Sequence, residues 1–175
     1  MSAGKIRLAT VWLDGCSGCH MSLLDTDERL IALAQRVEVV WGPLVDAKPF
    51  PENVDVALVE GAISSEEDLH RIRLVRRRSK LLVSLGDCAI TGNVPAMRNH
   101  FGADAILRRG YLEDAAEGLI PREVVPALLA ATRPVHEVVK VDVFLPGCPP
   151  SADLIFAALS ELLEGRIPNP AAKFG

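Results

Sequence analysis

The rhythm of the apolar segments limits this chain to a small set of folds. Five runs rich in β-branched residues, 6–13 (IRLATVWL), 37–41 (VEVVW), 54–59 (VDVALV), 81–85 (LLVSL) and 138–145 (VVKVDVFL), alternate with segments of helical period. A strand followed by a helix returns most readily to a neighbouring parallel strand, so the alternation predicts an α/β domain with a mostly parallel sheet. Five strands with helices between them predict a doubly wound, flavodoxin-like arrangement. A helix is predicted over 22–35, with Leu23, Leu24, Leu30, Ile31 and Leu33 on its apolar side; Asp25 and Glu28 form an alternative cap for its regular part. Ser64 and Glu67 have the spacing to open a second helix that runs to 78. A third is predicted over 94–101, with Pro95 in its first turn. The last, over 151–164, ends at Gly165. Between 102 and 133, Pro121 and Pro126 interrupt the pattern, which supports one or two short helices at most. Residues 1–167 are read as a single domain and 168–175 as a C-terminal tail.

Charge and hydropathy exclude several classes of function. The net charge of −4 lacks the basic excess of a nucleic-acid binder. The one basic stretch, 71–80 (RIRLVRRRSK), is read as a solvated helix face or a rim against a partner protein. No apolar run approaches the length of a bilayer span, so no membrane association is expected. The first residues, MSAGKIRLATVWL, pass into a strand-like segment without an apolar signal region or a twin-arginine pair, and a cytoplasmic protein is expected. Disulfides are disfavoured in that compartment, so the four cysteines call for metal or redox chemistry.

Their positions sharpen that reading. Cys16 and Cys19 follow the first strand, Cys88 follows the fourth and Cys148 the fifth. Parallel strands end on one edge of their sheet, where open α/β folds bind ligands, so the cysteines describe one convergent four-thiol site. Each has a glycine one or two positions before it, in Asp14-Gly15-Cys16-Ser17-Gly18-Cys19, Gly86-Asp87-Cys88 and Gly147-Cys148-Pro149-Pro150. Glycine permits a backbone to approach a bulky inorganic group closely and leaves amides free to face its sulfurs. These features favour an iron–sulfur cluster. Three other readings stay open. A structural zinc site also uses four cysteines, but commonly as two close pairs. A thioredoxin-like dithiol at Cys16 and Cys19 leaves Cys88 and Cys148 idle, and inert buried thiols do not need glycine-rich turns. Four cysteines suit a two-iron or a four-iron cluster equally. No Ser-His-Asp pattern, P-loop or G-x-G-x-x-G is present, so no independent active site is expected.

The segments WLDGCSGC (12–19), VEGAI (59–63), GDC (86–88) and PGCPP (146–150) resemble, in order, the motifs of [NiFe]-hydrogenase small subunits. The run CSGCHMSLLDTDERL (16–30) is most similar to the small subunit of the cytosolic NAD-reducing, bidirectional hydrogenases. The resemblance implies a flavodoxin-like fold and a [4Fe-4S] cluster on Cys16, Cys19, Cys88 and Cys148. It also implies a nickel–iron centre on a separate large subunit, and iron–sulfur diaphorase subunits through which electrons pass to NAD⁺. The cluster edge, 16–21 with the turns at Glu60, Cys88 and Cys148, would face the large subunit. NAD would bind elsewhere in the complex, and FMN is not expected on this chain, since no phosphate-cradling loop is legible. His20 is read as an interface residue or a donor to the cluster, and Glu60 and Asp87 as part of a proton route, a subunit contact or a backbone-bonding device. Two departures matter. Many relatives carry a glutamate two residues after the C-x-x-C pair, where this chain has Met21. Complex I relatives have adjacent cysteines, which here are separated by Ser17-Gly18.

Overall fold

The computed structural model, which describes residues 4–116 and 118–168, turns the five apolar runs into one sheet. In chain order the first half comprises β1 (Ile6–Trp12), α1 (Gly18–Leu24), α2 (Arg29–Arg36), β2 (Val37–Trp41), β3 (Val54–Glu60), β4 (Ile63–Ser65) and α3 (Glu66–Arg78). The second half comprises β5 (Ser79–Leu85), α4 (Asp87–Thr91), α5 (Asn93–Ala96), α6 (Ala103–Arg108), β6 (Leu128–Arg133), β7 (Val143–Leu145) and α7 (Ala152–Leu163). Strands β2-β1-β3-β5-β7 lie side by side in that order and all pair in parallel. Counted within this sheet alone, the order is 2-1-3-4-5, that of flavodoxin.

Alternation along the strands divides the core in two. Leu8, Val56, Leu58, Val83 and Leu85 point to one face and pack against Leu23, Leu33, Ile155, Leu159 and Leu162 of α1, α2 and α7. Ala9, Val11, Ala57, Val59 and Leu82 point to the other and pack against Ile72 and Val75 of α3. Helices therefore cover both faces, and every β-strand of the main sheet delivers its carboxyl end to the same edge.

The elements depart from expectation where local chemistry overrides periodicity. The helix predicted over 22–35 is two helices, broken at 25–28, where Asp27 takes a left-handed backbone (φ 50°). Glu28 makes no side-chain cap there. The capping box of α3 is one residue further on than predicted: Ser65 accepts from the Asp68 amide, and Asp68 accepts from the Ser65 amide. The segment 94–101 divides into α5 and a 3₁₀ turn, Met97–His100. The uncertain stretch after 102 holds α6 and a π-helical turn, Arg109–Glu113, but also β6, which pairs with β4 as a separate antiparallel ribbon. The last strand is shorter than predicted, since only Val143–Leu145 pairs with β5. Most of the basic stretch is absorbed by ion pairs: Arg71 with Glu67, Arg76 with Asp142, Arg78 with Glu52 and Lys80 with Asp55. Of the predicted tail, all but Pro168 lies outside the described residues.

Candidate metal centre

Three strand ends bring the cysteines to the sheet's carboxyl edge. Cys16 lies in the turn after β1 and Cys19 in the first turn of α1. Cys88 opens α4 directly after β5, and Cys148 follows β7. The four thiols lie near enough to repel one another as thiolates: Cys19 feels Cys88, Cys16 and Cys148, and Cys88 feels Cys148 and Cys16. Cys16 and Cys148 are exposed, Cys88 is half-buried and Cys19 is buried. The site is thus closed on the side of the core and open outward.

The backbone around the thiols is held by a few specific bonds. The Gly86 amide donates to Leu145 O (2.8 Å) and the Asp87 amide to Gly147 O (3.0 Å). In return, Asp87 Oδ1 accepts from the Gly147 amide at 2.7 Å. These ties lock the Cys88 turn to the Cys148 turn. Glu60, at the end of β3 and 2% exposed, does the same for the first pair. Its Oε2 accepts from the His20 amide at 2.9 Å and is bonded to the His20 ring Nδ1. Trp12 packs edge-on against that ring, with centroids 5.4 Å apart. Ser22 Oγ donates to Pro150 O at 2.5 Å, which joins α1 to the proline turn. Glu60 and Asp87 are therefore backbone-bonding residues in this structure, and His20 is a buried partner of Glu60.

The donor set and its surroundings fit an iron–sulfur cluster. All four donors are thiols, the ligand type that such clusters take. The backbone at Gly86 comes so close that a Cβ there would collide with Cys19 Sγ. Among the described residues, no three His, Cys, Asp or Glu side chains are grouped to hold a metal ion. A zinc ion draws its thiolates to about 2.3 Å from one point, whereas a cluster interposes atoms of its own between the ligands. A dithiol redox role fits poorly. Burial, with repulsion from Glu60 and the other thiols, pushes the Cys19 thiol well above its ordinary range. Burial pushes Cys88 up to about 11. A dithiol confined to Cys16 and Cys19 would leave Cys88 and Cys148, at the same edge, without a role.

The chain is similar to several known proteins. A family model described as NADH ubiquinone oxidoreductase, 20 Kd subunit, matches residues 16–162. The delta subunit of the NAD-reducing hydrogenase HoxS of Cupriavidus necator is 42% identical over 169 residues, which cover 93% of this chain and 81% of that protein. A subunit of the vhu F420-non-reducing hydrogenase of Methanocaldococcus jannaschii is 38% identical over 171 residues. That alignment covers 96% of this chain and 59% of the relative, so the chain spans little more than half of its length. Among solved structures, a chain of an NAD⁺-reducing [NiFe]-hydrogenase in the H₂-reduced state superposes with a TM-score of 0.93 and 41% identity. The superposition covers 98% of this chain and 100% of that one.

Proposed function

Since the chain belongs to the family of the NADH ubiquinone oxidoreductase 20 Kd subunit and, within it, to the small subunits of [NiFe] hydrogenases, we propose that it is the electron-transfer subunit of a cytoplasmic, NAD-reducing enzyme. It carries electrons between the nickel–iron site of a large subunit and an iron–sulfur diaphorase module. Cys16, Cys19, Cys88 and Cys148 are the proposed ligands of one [4Fe-4S] cluster. The carrying observation is the gathering of four thiols, from three strand ends, at one edge of a parallel sheet.

When bound, the cluster supplies one-electron redox chemistry at a fixed position. The chain's own residues keep that position. Asp87 and the amides of Gly86 and Gly147 hold the two single-cysteine turns together, and Glu60 holds the start of α1 through the His20 amide. The buried Cys19 side excludes water, while the exposed Cys16 and Cys148 look outward to where a partner can approach. Large apolar side chains flank the same turns, among them Met21 beside Cys19 and Val94 and Met97 after Cys88, all exposed. Such side chains are characteristic of obligate interfaces and support a large subunit seated on this edge.

Protein purified anaerobically with its partners is expected to contain about four irons and four sulfides per chain beyond those of the other subunits. Cys88→Ser and Cys148→Ser should lower that content together with hydrogen-driven NAD⁺ reduction. Stoichiometric zinc at these cysteines, with no iron, would overturn the assignment.

A further inference from the structure

The turn Gly92-Asn93-Val94 lies outside the four sequence motifs, yet it reaches the Cys148 thiol and the backbone of Cys88. Gly92 and Asn93 both take left-handed backbone angles, with φ of 83° and 33°. Asparagine is one of the few residues with a side chain that tolerate this region. The turn carries the Asn93 side-chain amide to Cys148, with Nδ2 at 3.5 Å from Sγ. That separation suits an N–H donor on the large sulfur atom. The same turn is tied to the backbone of another ligand: the Gly92 N–H donates to the Cys88 carbonyl at 3.0 Å. Cys88 and Cys148 come from different strands, so this one turn spans both. Packing does not account for its shape, because Val94 is 62% exposed.

On the reading that the four cysteines hold an iron–sulfur cluster, we propose that Asn93 is a positioning residue that raises the cluster's reduction potential by donating a hydrogen bond to the Cys148 sulfur. Reduction adds one electron, and with it negative charge shared between the cluster and its thiolates. An N–H aimed at a thiolate stabilises the more negative state more strongly, so the donor favours reduction. The same bond to either oxidation state would leave the potential unchanged; it is the difference that counts.

Two variants separate the donor from the backbone. Asn93→Gly keeps the left-handed turn at no steric cost and removes the amide. Asn93→Asp keeps the side chain's shape and offers only acceptors at neutral pH. Both are to be prepared as the full chain in its complex and compared with the parent by iron and sulfide analysis and by an EPR-monitored redox titration. With iron content unchanged, each midpoint should move to lower potential, with the shift for Asn93→Asp the larger. A tenfold smaller reduced-to-oxidised ratio at fixed potential corresponds to about 59 mV for a one-electron couple. Unchanged midpoints in iron-replete variants would overturn the role of Asn93 and leave the ligand assignment standing. Loss of iron from both variants would make Asn93 a retention residue instead and overturn the proposal as stated. A parent protein without iron and sulfide at these cysteines would overturn the ligand reading and this proposal with it.

Discussion

Gly86 marks the tightest point around the thiols, and a single methyl group probes it. A Cβ there would collide with Cys19 Sγ and lie 3.4 Å from Gly147 O, on a backbone with φ of 83°. Gly86→Ala should therefore displace a ligand as well as strain the turn, and iron per chain should fall several-fold. Gly165, with φ of 75° and nothing within 4 Å of its would-be Cβ, is the control: Gly165→Ala should cost about 1–2 kcal/mol and leave the iron content unchanged. Equal iron loss in both would mean that backbone strain alone, without the contact to Cys19, governs the site. At this scale, what could be read from the sequence was chemical identity. Four cysteines near glycines announce themselves, whatever surrounds them. The roles of Glu60 and Asp87 did not, because choosing between a proton route and a backbone bond requires knowing which amide faces the carboxylate. Asn93 is illegible for the same reason: its partner sulfur is 55 residues away in sequence.

Among the elements, β7 is the shortest strand of the main sheet and carries Cys148 at its end, so its attachment to β5 controls part of the site. Asp142 extends that attachment beyond the paired residues. Its amide donates to Leu82 O at 2.9 Å, and its Oδ2 accepts from the Leu82 amide at 2.8 Å and from Arg76 Nη1 at 2.5 Å. Burial raises the Asp142 carboxyl's pKa, but the bonds from Arg76 and Leu82, with the charges of Arg76 and Lys140, outweigh it and hold the carboxyl below the usual carboxylate range. A depressed native pKa means that the carboxylate stabilises the fold above its unfolded value of about 3.9. That contribution is lost as pH falls from about 4 through the native pKa. Asp142→Asn should cost about 1.5–3 kcal/mol near neutrality, and the deficit should shrink below about pH 4. Urea unfolding at a series of pH values measures it; a deficit that stays constant down to the acid limb would remove Asp142 from the acid response. The element scale also separates legible from illegible structure. The main-sheet strands were legible because β-branched residues buried on two faces form continuous apolar runs. The β4–β6 ribbon was not, since Ile63-Ser64-Ser65 is too short to show a period and pairs with a strand more than sixty residues on. The break at 25–28 was hidden by an apolar pattern that continues across it.

For the molecule as a whole, the doubly wound fold was legible from the order of its elements, and with it the edge on which the cysteines converge. What covers that edge depends on surface that no periodicity encodes. Met21, just after Cys19, and Met97, in the 3₁₀ turn after α5, are each 64% exposed, and Val94 in the turn after α4 is 62% exposed. Single exposed apolar residues are ordinary, but several beside one ligand-bearing edge are not. Desolvating them against a partner contributes about 25 cal/mol for each Å² of apolar area buried, while an ammonium placed among them would have to be buried unpaired. Met21→Lys and Met97→Lys should therefore release the large subunit, the double variant more completely than either alone. The fold should survive, because both side chains stand outside the two cores. Co-purification with a tagged large subunit reads the first effect, and far-ultraviolet circular dichroism with thermal unfolding reads the second. Retention of the large subunit by the double variant, with Cys16 and Cys148 open to alkylation in the intact complex, would show that the partner binds elsewhere and that the cysteine edge faces solvent.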